Sequence, residues 1–109
     1  MIVAVLELET HPGKRKELLQ AFGALVQPTR GVKGCIRCRV YGELANENAF
    51  LLVLEWETRK GLDRYLASDT GKVLLGAIHA LCASARVAFS TALSWNTVER
   101  MGSRAGADV

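Results

Sequence analysis

The chain lacks any apolar run approaching the ~20 residues that a membrane-spanning helix requires, so no membrane partner is expected. It also lacks a basic stripe with interleaved aromatics. Its net charge of +3 is spread along the sequence, which argues against nucleic acid and reads as ordinary solubility. Cysteine is sparse, with three in all. An odd count in a chain without secretory features points to free thiols in a reducing compartment. The opening MIVAVLELE has no basic n-region and reaches an acid by position 7, so no secretory leader and a cytoplasmic location are the expectation.

What the sequence does have is apolar material in alternation. Half of its 109 residues are hydrophobic, enough for one domain to build a core without disulfides or metal. Residues 1–10 alternate, with Ile2, Ala4, Leu6 and Leu8 on one side and Val3, Val5, Glu7 and Glu9 on the other, the pattern of a strand. In "THPGK", Thr10 or His11 is placed to cap a helix, with Pro12 in its first turn. Residues 13–29 carry Leu18, Leu19, Phe22, Leu25 and Val26 at helical spacing, and "TRGVKG" ends that helix. Alternation returns over 35–44: Ile36, Cys38, Val40 and Leu44 oppose Arg37, Arg39, Tyr41 and Glu43. "ANEN" at 45–48 reads as a hairpin turn, followed by the strand "FLLVLEW". A helical stretch in two pieces comes next, broken and re-capped at "SDTG", and a last strand is expected over 86–98 with Val87, Phe89, Thr91, Leu93 and Trp95 on one side. The order β-α-β-β-α-β predicts a ferredoxin-like α+β domain with a four-stranded antiparallel sheet. That domain spans residues 1–98, and 99–109 form a loose tail.

The strand at 50–56 is apolar on both faces. Phe50, Leu52, Leu54 and Trp56 point one way, Leu51 and Val53 the other. Two helices cover only one face. A hairpin centred on 46–48 sets Arg37 across from Glu57 and Arg39 from Glu55, and cross-strand charge pairs of this kind contribute a few tenths to about 1 kcal/mol. A second face that mixes Val3, Val5, Tyr41, Leu51 and Val53 with Arg37, Arg39 and Glu55 suits a partner sheet. The expectation is a homodimer packed sheet to sheet about a two-fold axis.

The remaining reactive side chains are few. Cys35 and Cys38 form a C-x-x-C, but regular strand alternation sends them to opposite faces, and no second pair completes a zinc site. His79 lies on a helix beside Ile78 and Leu81; it is either a base near neutrality or a surface residue.

Four segments, "HPGK", "GCIRCRVY", "FLLVLEWET" and "GLDRYLAS", in this order and spacing over roughly residues 1–90, resemble the antibiotic-biosynthesis monooxygenase family of dimeric α+β barrels, which includes small quinol-oxygenase-like proteins. The resemblance implies a homodimer and a ligand cavity between sheet and helices; some members oxygenate aromatic or quinol-like substrates with no metal or flavin, others degrade haem, and no cofactor is expected for this chain. The cavity set is then Leu6, Ile36, Cys38, Val40, Phe50, Leu52, Leu54 and Trp56, with Gly71 and Arg86 at its margins. Trp56 matches the family's tryptophan at the end of strand three, either as a stacking platform or as core. Tyr65 stands where many relatives carry histidine, either touching ligand or packed by its ring. Gly71 replaces a bulky aromatic, which either enlarges the cavity or marks a helix break.

The chain also departs from the family. The haem-degrading branch uses an asparagine near Leu6 and a histidine on helix two. The cofactor-free branch uses an asparagine at the position of Leu52. The expected function is therefore a small-molecule-binding protein with an apolar pocket for an aromatic, quinol or polyketide-like ligand. If it is an enzyme, it is a cofactor-independent monooxygenase in which Trp56 holds the substrate and Tyr65 or His79 supplies the hydrogen bond or base. The alternatives are a non-catalytic carrier, or a scaffold whose cavity is filled.

Overall fold

The structure, a computed structural model, describes residues 1–104. Its elements are β1 (Ile2–Thr10), α1 (Arg15–Arg30), β2 (Cys35–Gly42), β3 (Ala49–Trp56), α2 (Arg59–Ala67), α3 (Asp69–Leu81), β4 (Cys82–Ser90) and α4 (Val98–Arg104). The four strands form one sheet in the order β2-β3-β1-β4, with antiparallel neighbours. The ferredoxin-like α+β arrangement is thus present, with its second helix in two pieces. The break is chemical. The Ser68 hydroxyl donates to the Tyr65 carbonyl at 2.5 Å and accepts from Gly71 N at 3.2 Å, so one side chain ends α2 and caps α3. Thr58 caps α2 in the same way, accepting from Gly61 N at 3.0 Å.

Helix α1 begins later than expected. Its N-cap is Lys14, and neither Thr10 nor His11 caps it. Thr10 instead ends β1, buried, with its hydroxyl donating to Asn48 Oδ1 at 3.1 Å. The helix runs through Pro28 to Arg30.

Along β3 the inward set behaves as one surface: Phe50, Leu52, Leu54 and Trp56 are all buried. They pack with Leu18 and Phe22 of α1, Leu62 and Tyr65 of α2, and Leu74 and Ile78 of α3 in a single core. At about 25 cal/mol per Å² of apolar area removed from water, this layer is the principal source of stability.

The β2–β3 register differs from the expected one by two residues. Arg37 pairs with Glu55 and Arg39 with Val53, because the connecting loop is wider and sits one position earlier. The loop is closed by Glu43 N to Ala49 O at 3.0 Å and by an Asn46 side chain that accepts from Asn48 N at 3.0 Å. A slip of two keeps every side chain on its face. At the start of β2 a bulge does not: Cys35 opposes Trp56 while Arg37 opposes Glu55, leaving Ile36 extra. Ile36 is therefore exposed rather than in the cavity set. Cys35 and Cys38 share the helix-facing side instead of opposite faces. Leu44 lies in the loop, fully exposed.

Strand β4 is also shifted. It begins directly at the end of α3 and stops at Ser90. Residues 91–97 are irregular, and Trp95 crosses to the face opposite Val87 and Phe89. Residues 98–104, expected to be mostly loose tail, form α4, and the expectation for 105–109 lies outside the described residues. Among the described residues no helix is long and apolar enough to cross a membrane.

Candidate functional site

Chemistry-bearing side chains converge at one end of the inner face. Trp56 closes β3, Tyr65 comes from the middle of α2, Thr29 from the last turn of α1, and Cys35 and Cys38 from β2. Trp56 and Tyr65 lie ring against ring, with centroids 5.0 Å apart and planes tilted by 30°, a favourable aromatic geometry. The Tyr65 hydroxyl shares a 2.7 Å hydrogen bond with the Thr29 hydroxyl.

Gly34, at φ +98°, brings the backbone close to the benzo ring of Trp56: a Cβ there would touch Cε3 at 3.4 Å. Gly61 approaches the same edge. Trp56 is consequently 0% exposed, and no ring face is open for a flat ligand to stack on, contrary to the stacking expectation. Its indole Nε1 is buried with no hydrogen-bond partner. A buried donor left unsatisfied costs about 1–3 kcal/mol.

The thiols and the phenol of this group hold their protons. Burial raises the Cys38 thiol to about 11, with the neighbouring Cys35 adding to the rise and Arg30 opposing it. Cys35 is also pushed up by burial, against the influence of the Arg37 backbone and Arg30. Burial raises Tyr65 as well, while its bond to Thr29 pulls the other way. The site can donate hydrogen bonds to an oxygen. It contains no base able to take a proton near neutrality.

The remaining predicted residues separate. His79 is exposed on α3, away from the ring pair. Gly71 is buried, and a methyl group there would overlap the Tyr65 carbonyl; its lack of a side chain allows α2 to meet α3 and opens no cavity. Leu6 and Val40 are half-buried on the helix-facing side. Arg86 points to the opposite face, exposed, with its Nε 2.6 Å from Glu7 Oε1; strand parity puts it there, since it pairs with Glu7 of β1. Val87 and Phe89, on the helix side of edge strand β4, are nearly half exposed, with the Arg59 guanidinium 4.5 Å from the Phe89 ring centroid. This is the incompletely covered margin of the inner face.

Thr29 and Arg30 were not singled out from sequence, and Cys35 was considered only with Cys38 as a redox or zinc pair split between two faces. Thr29 continues the Leu18–Phe22–Leu25 stripe and was legible in principle; the bulge that turns Cys35 inward was not. Among the described residues no three His, Cys, Asp or Glu side chains gather as a metal site.

With this geometry in view, the model of the antibiotic biosynthesis monooxygenase family matches residues 1–73, a span that contains Thr29, Trp56, Tyr65 and Gly71. The chain belongs to this family. Solved structures of the same fold include an antibiotic biosynthesis monooxygenase, 21% identical, covering 86% of this chain and 100% of that one at a TM-score of 0.78. A Mycobacterium tuberculosis protein is 18% identical over 88% of this chain and 98% of its own, with a TM-score of 0.79. A conserved Methanosarcina mazei protein is 24% identical over 82% of this chain and 89% of its own, with a TM-score of 0.76. At these identities the structures establish the fold alone. An uncharacterised Synechocystis protein is 29% identical over 62 residues, which span 57% of this chain and 42% of that relative.

Proposed function

We propose that this family member is a homodimeric small-molecule-binding protein that admits an aromatic, quinol or polyketide-like ligand between sheet and helices and oxygenates it without a cofactor. The observation that carries the reading is the buried, unpartnered indole Nε1 of Trp56, whose ring packs against that of Tyr65. A ligand carbonyl or phenol oxygen supplies the acceptor that the indole lacks. The half-open margin at Val87 and Phe89 is the way in, and α2, only nine residues long, is the element that yields.

Because the interior holds no base, the substrate must bring its own acidity, as anthrones and quinols do. For an anthrone, a methylene becomes a carbonyl. One atom of O₂ stays in the product, the other leaves as water, and the substrate supplies all the electrons. Trp56 and Tyr65 stabilise the developing oxyanion by hydrogen bonding.

The same absence of a base favours a second reading, a carrier that holds such a ligand without turnover. Native mass spectrometry of the purified protein, followed by oxygen uptake with quinols and anthrones, separates the two. Uptake that falls at least about tenfold in Trp56→Phe or Tyr65→Phe supports the oxygenase. Ligand retained with no uptake supports the carrier. A protein that retains and binds nothing overturns both.

A further inference from the structure

The bulge at Ile36 changes what the C-x-x-C can do. Regular alternation would part its two thiols. In the structure Cys35 pairs with Trp56 and Cys38 with Leu54, two inward positions on neighbouring rungs of β3. Both sulfurs therefore lie on the helix side, and both thiols are free. Cys38 is 2% exposed. Cys35, at the start of β2, is half-buried, so one thiol is within reach of solvent and the other lies deeper.

Their surroundings tie the two sulfurs together. Arg30, in the last turn of α1, donates from Nε to the Cys38 carbonyl at 2.9 Å, and its positive charge bears on both thiols. The Cys35 thiol bears on that of Cys38, and both bear on Tyr65. Cys35 N donates to the Val32 carbonyl at 3.0 Å, which fixes the entry to the strand just after Gly34 at φ +98°.

Spacing and ligand count then choose the chemistry. Two rungs set the strand partners of the pair about 6.6 Å apart, at ~3.3 Å per residue. That is near the widest Cα spacing, about 6.8 Å, that a disulfide usually bridges. A metal ion reaches further, because two thiolate bonds of about 2.3 Å each span sulfurs about 4–5 Å apart. Structural zinc needs a full tetrahedral set, and among the described residues no third His, Cys, Asp or Glu gathers with the pair. Monovalent copper takes soft sulfur ligands and is satisfied by two of them in line.

We propose that Cys35 and Cys38 form a two-thiolate site for a soft monovalent metal ion, Cu(I), on the inner side of β2. The ion enters at Cys35. Both S–H protons leave to solvent, two S–Cu bonds form, and the oxidation state of copper does not change. The loaded unit carries one net negative charge, which the Arg30 guanidinium offsets. The site stands whether or not the chain turns over an organic substrate.

The test is a titration of the reduced full chain with Cu(I), in the absence of oxygen, against the coloured chelator bicinchoninate. Each chain should withdraw one ion from the chelator. Cys35→Ser and Cys38→Ser should each weaken binding at least about 100-fold, more than the loss of an outer partner does, and Cys82→Ser should change it less than about twofold. Cys35 is half-buried, so Cys35→Ser keeps the fold, which circular dichroism melting verifies; if Cys38→Ser unfolds, Cys35→Ser decides alone. In Trp95→Phe, which leaves Trp56 as the remaining tryptophan, bound Cu(I) should quench the emission, since Cys35 is the cross-strand partner of Trp56. Copper that stays with the chelator, one ion shared between two chains, or binding that Cys35→Ser retains within about twofold overturns the site. Saturating Cu(I) that leaves the Trp56 emission unchanged overturns it as well.

Discussion

The two faces of β3 obey different rules. On the inner side, Phe50, Leu52, Leu54 and Trp56 are all buried by the chain's own helices. On the outer side, Leu51 and Val53 remain half-buried, and Glu55 is buried only where Trp95 arrives from the C-terminal arm. Adjacent residues of one strand, similar in hydrophobicity, thus serve different ends. Even-numbered positions are covered by the chain's own helices, and odd-numbered positions are not. The inner face is tightly filled yet contains one unmet donor at Trp56. The outer face is loosely covered, yet the buried carboxylate of Glu55 has both an ionic partner and a hydrogen-bond donor.

The sharpest way to break this comparison is a pair of neighbouring substitutions. Leu52→Ala should lower unfolding stability in urea by about 3 kcal/mol, the usual cost of a core leucine truncation. Leu51→Ala should cost less than about 1 kcal/mol in the isolated chain and act instead on association. Equal losses would mean the two faces are equivalent. A smaller effect is expected at the arm. Trp95→Phe removes the indole donor from Glu55 and should cost about 1–2 kcal/mol, with little change when Glu55 is first replaced by Met, which has no oxygen to accept the bond, a non-additivity that a double-mutant cycle measures.

The smallest effect concerns pH and belongs to the inner face. The folded Cys38 thiol titrates at about 11 against an ordinary 9.0, so between those values the folded chain keeps a proton that the unfolded chain has lost. The stabilisation is therefore complete below pH 9 and disappears as pH rises toward 11. Cys35, Cys82 and Tyr65 shift in the same direction. Urea midpoints should fall from pH 8 to pH 10.5, and Cys38→Ala should reduce that fall.

The fold was largely legible because period-two alternation over 1–10, 37–42 and 50–56 survives in the structure, as does the break at Ser68. What escaped the sequence were departures from regular periodicity. The bulge at Ile36 reverses the parity of Cys35, so a C-x-x-C read as split between faces lies on one. Strand β4 stops at Ser90, and the residues after it leave the alternation, which sent Trp95 to the other side of the sheet from Val87 and Phe89. The meeting of Trp56 with Tyr65 follows from inward parity on β3 and the buried stripe Leu62–Tyr65 on α2. The enclosure of that pair depends on a positive-φ glycine and a missing side chain at Gly71, which local pattern does not encode.

The chain has two tryptophans, and their indole protons give two resonances that Trp95→Phe assigns. With anthrone or a naphthoquinol added to ¹⁵N-labelled protein, the Trp56 indole proton should move downfield and exchange more slowly with solvent, while that of Trp95 stays in place. A Trp56 signal that does not move while calorimetry registers bound ligand would contradict the account.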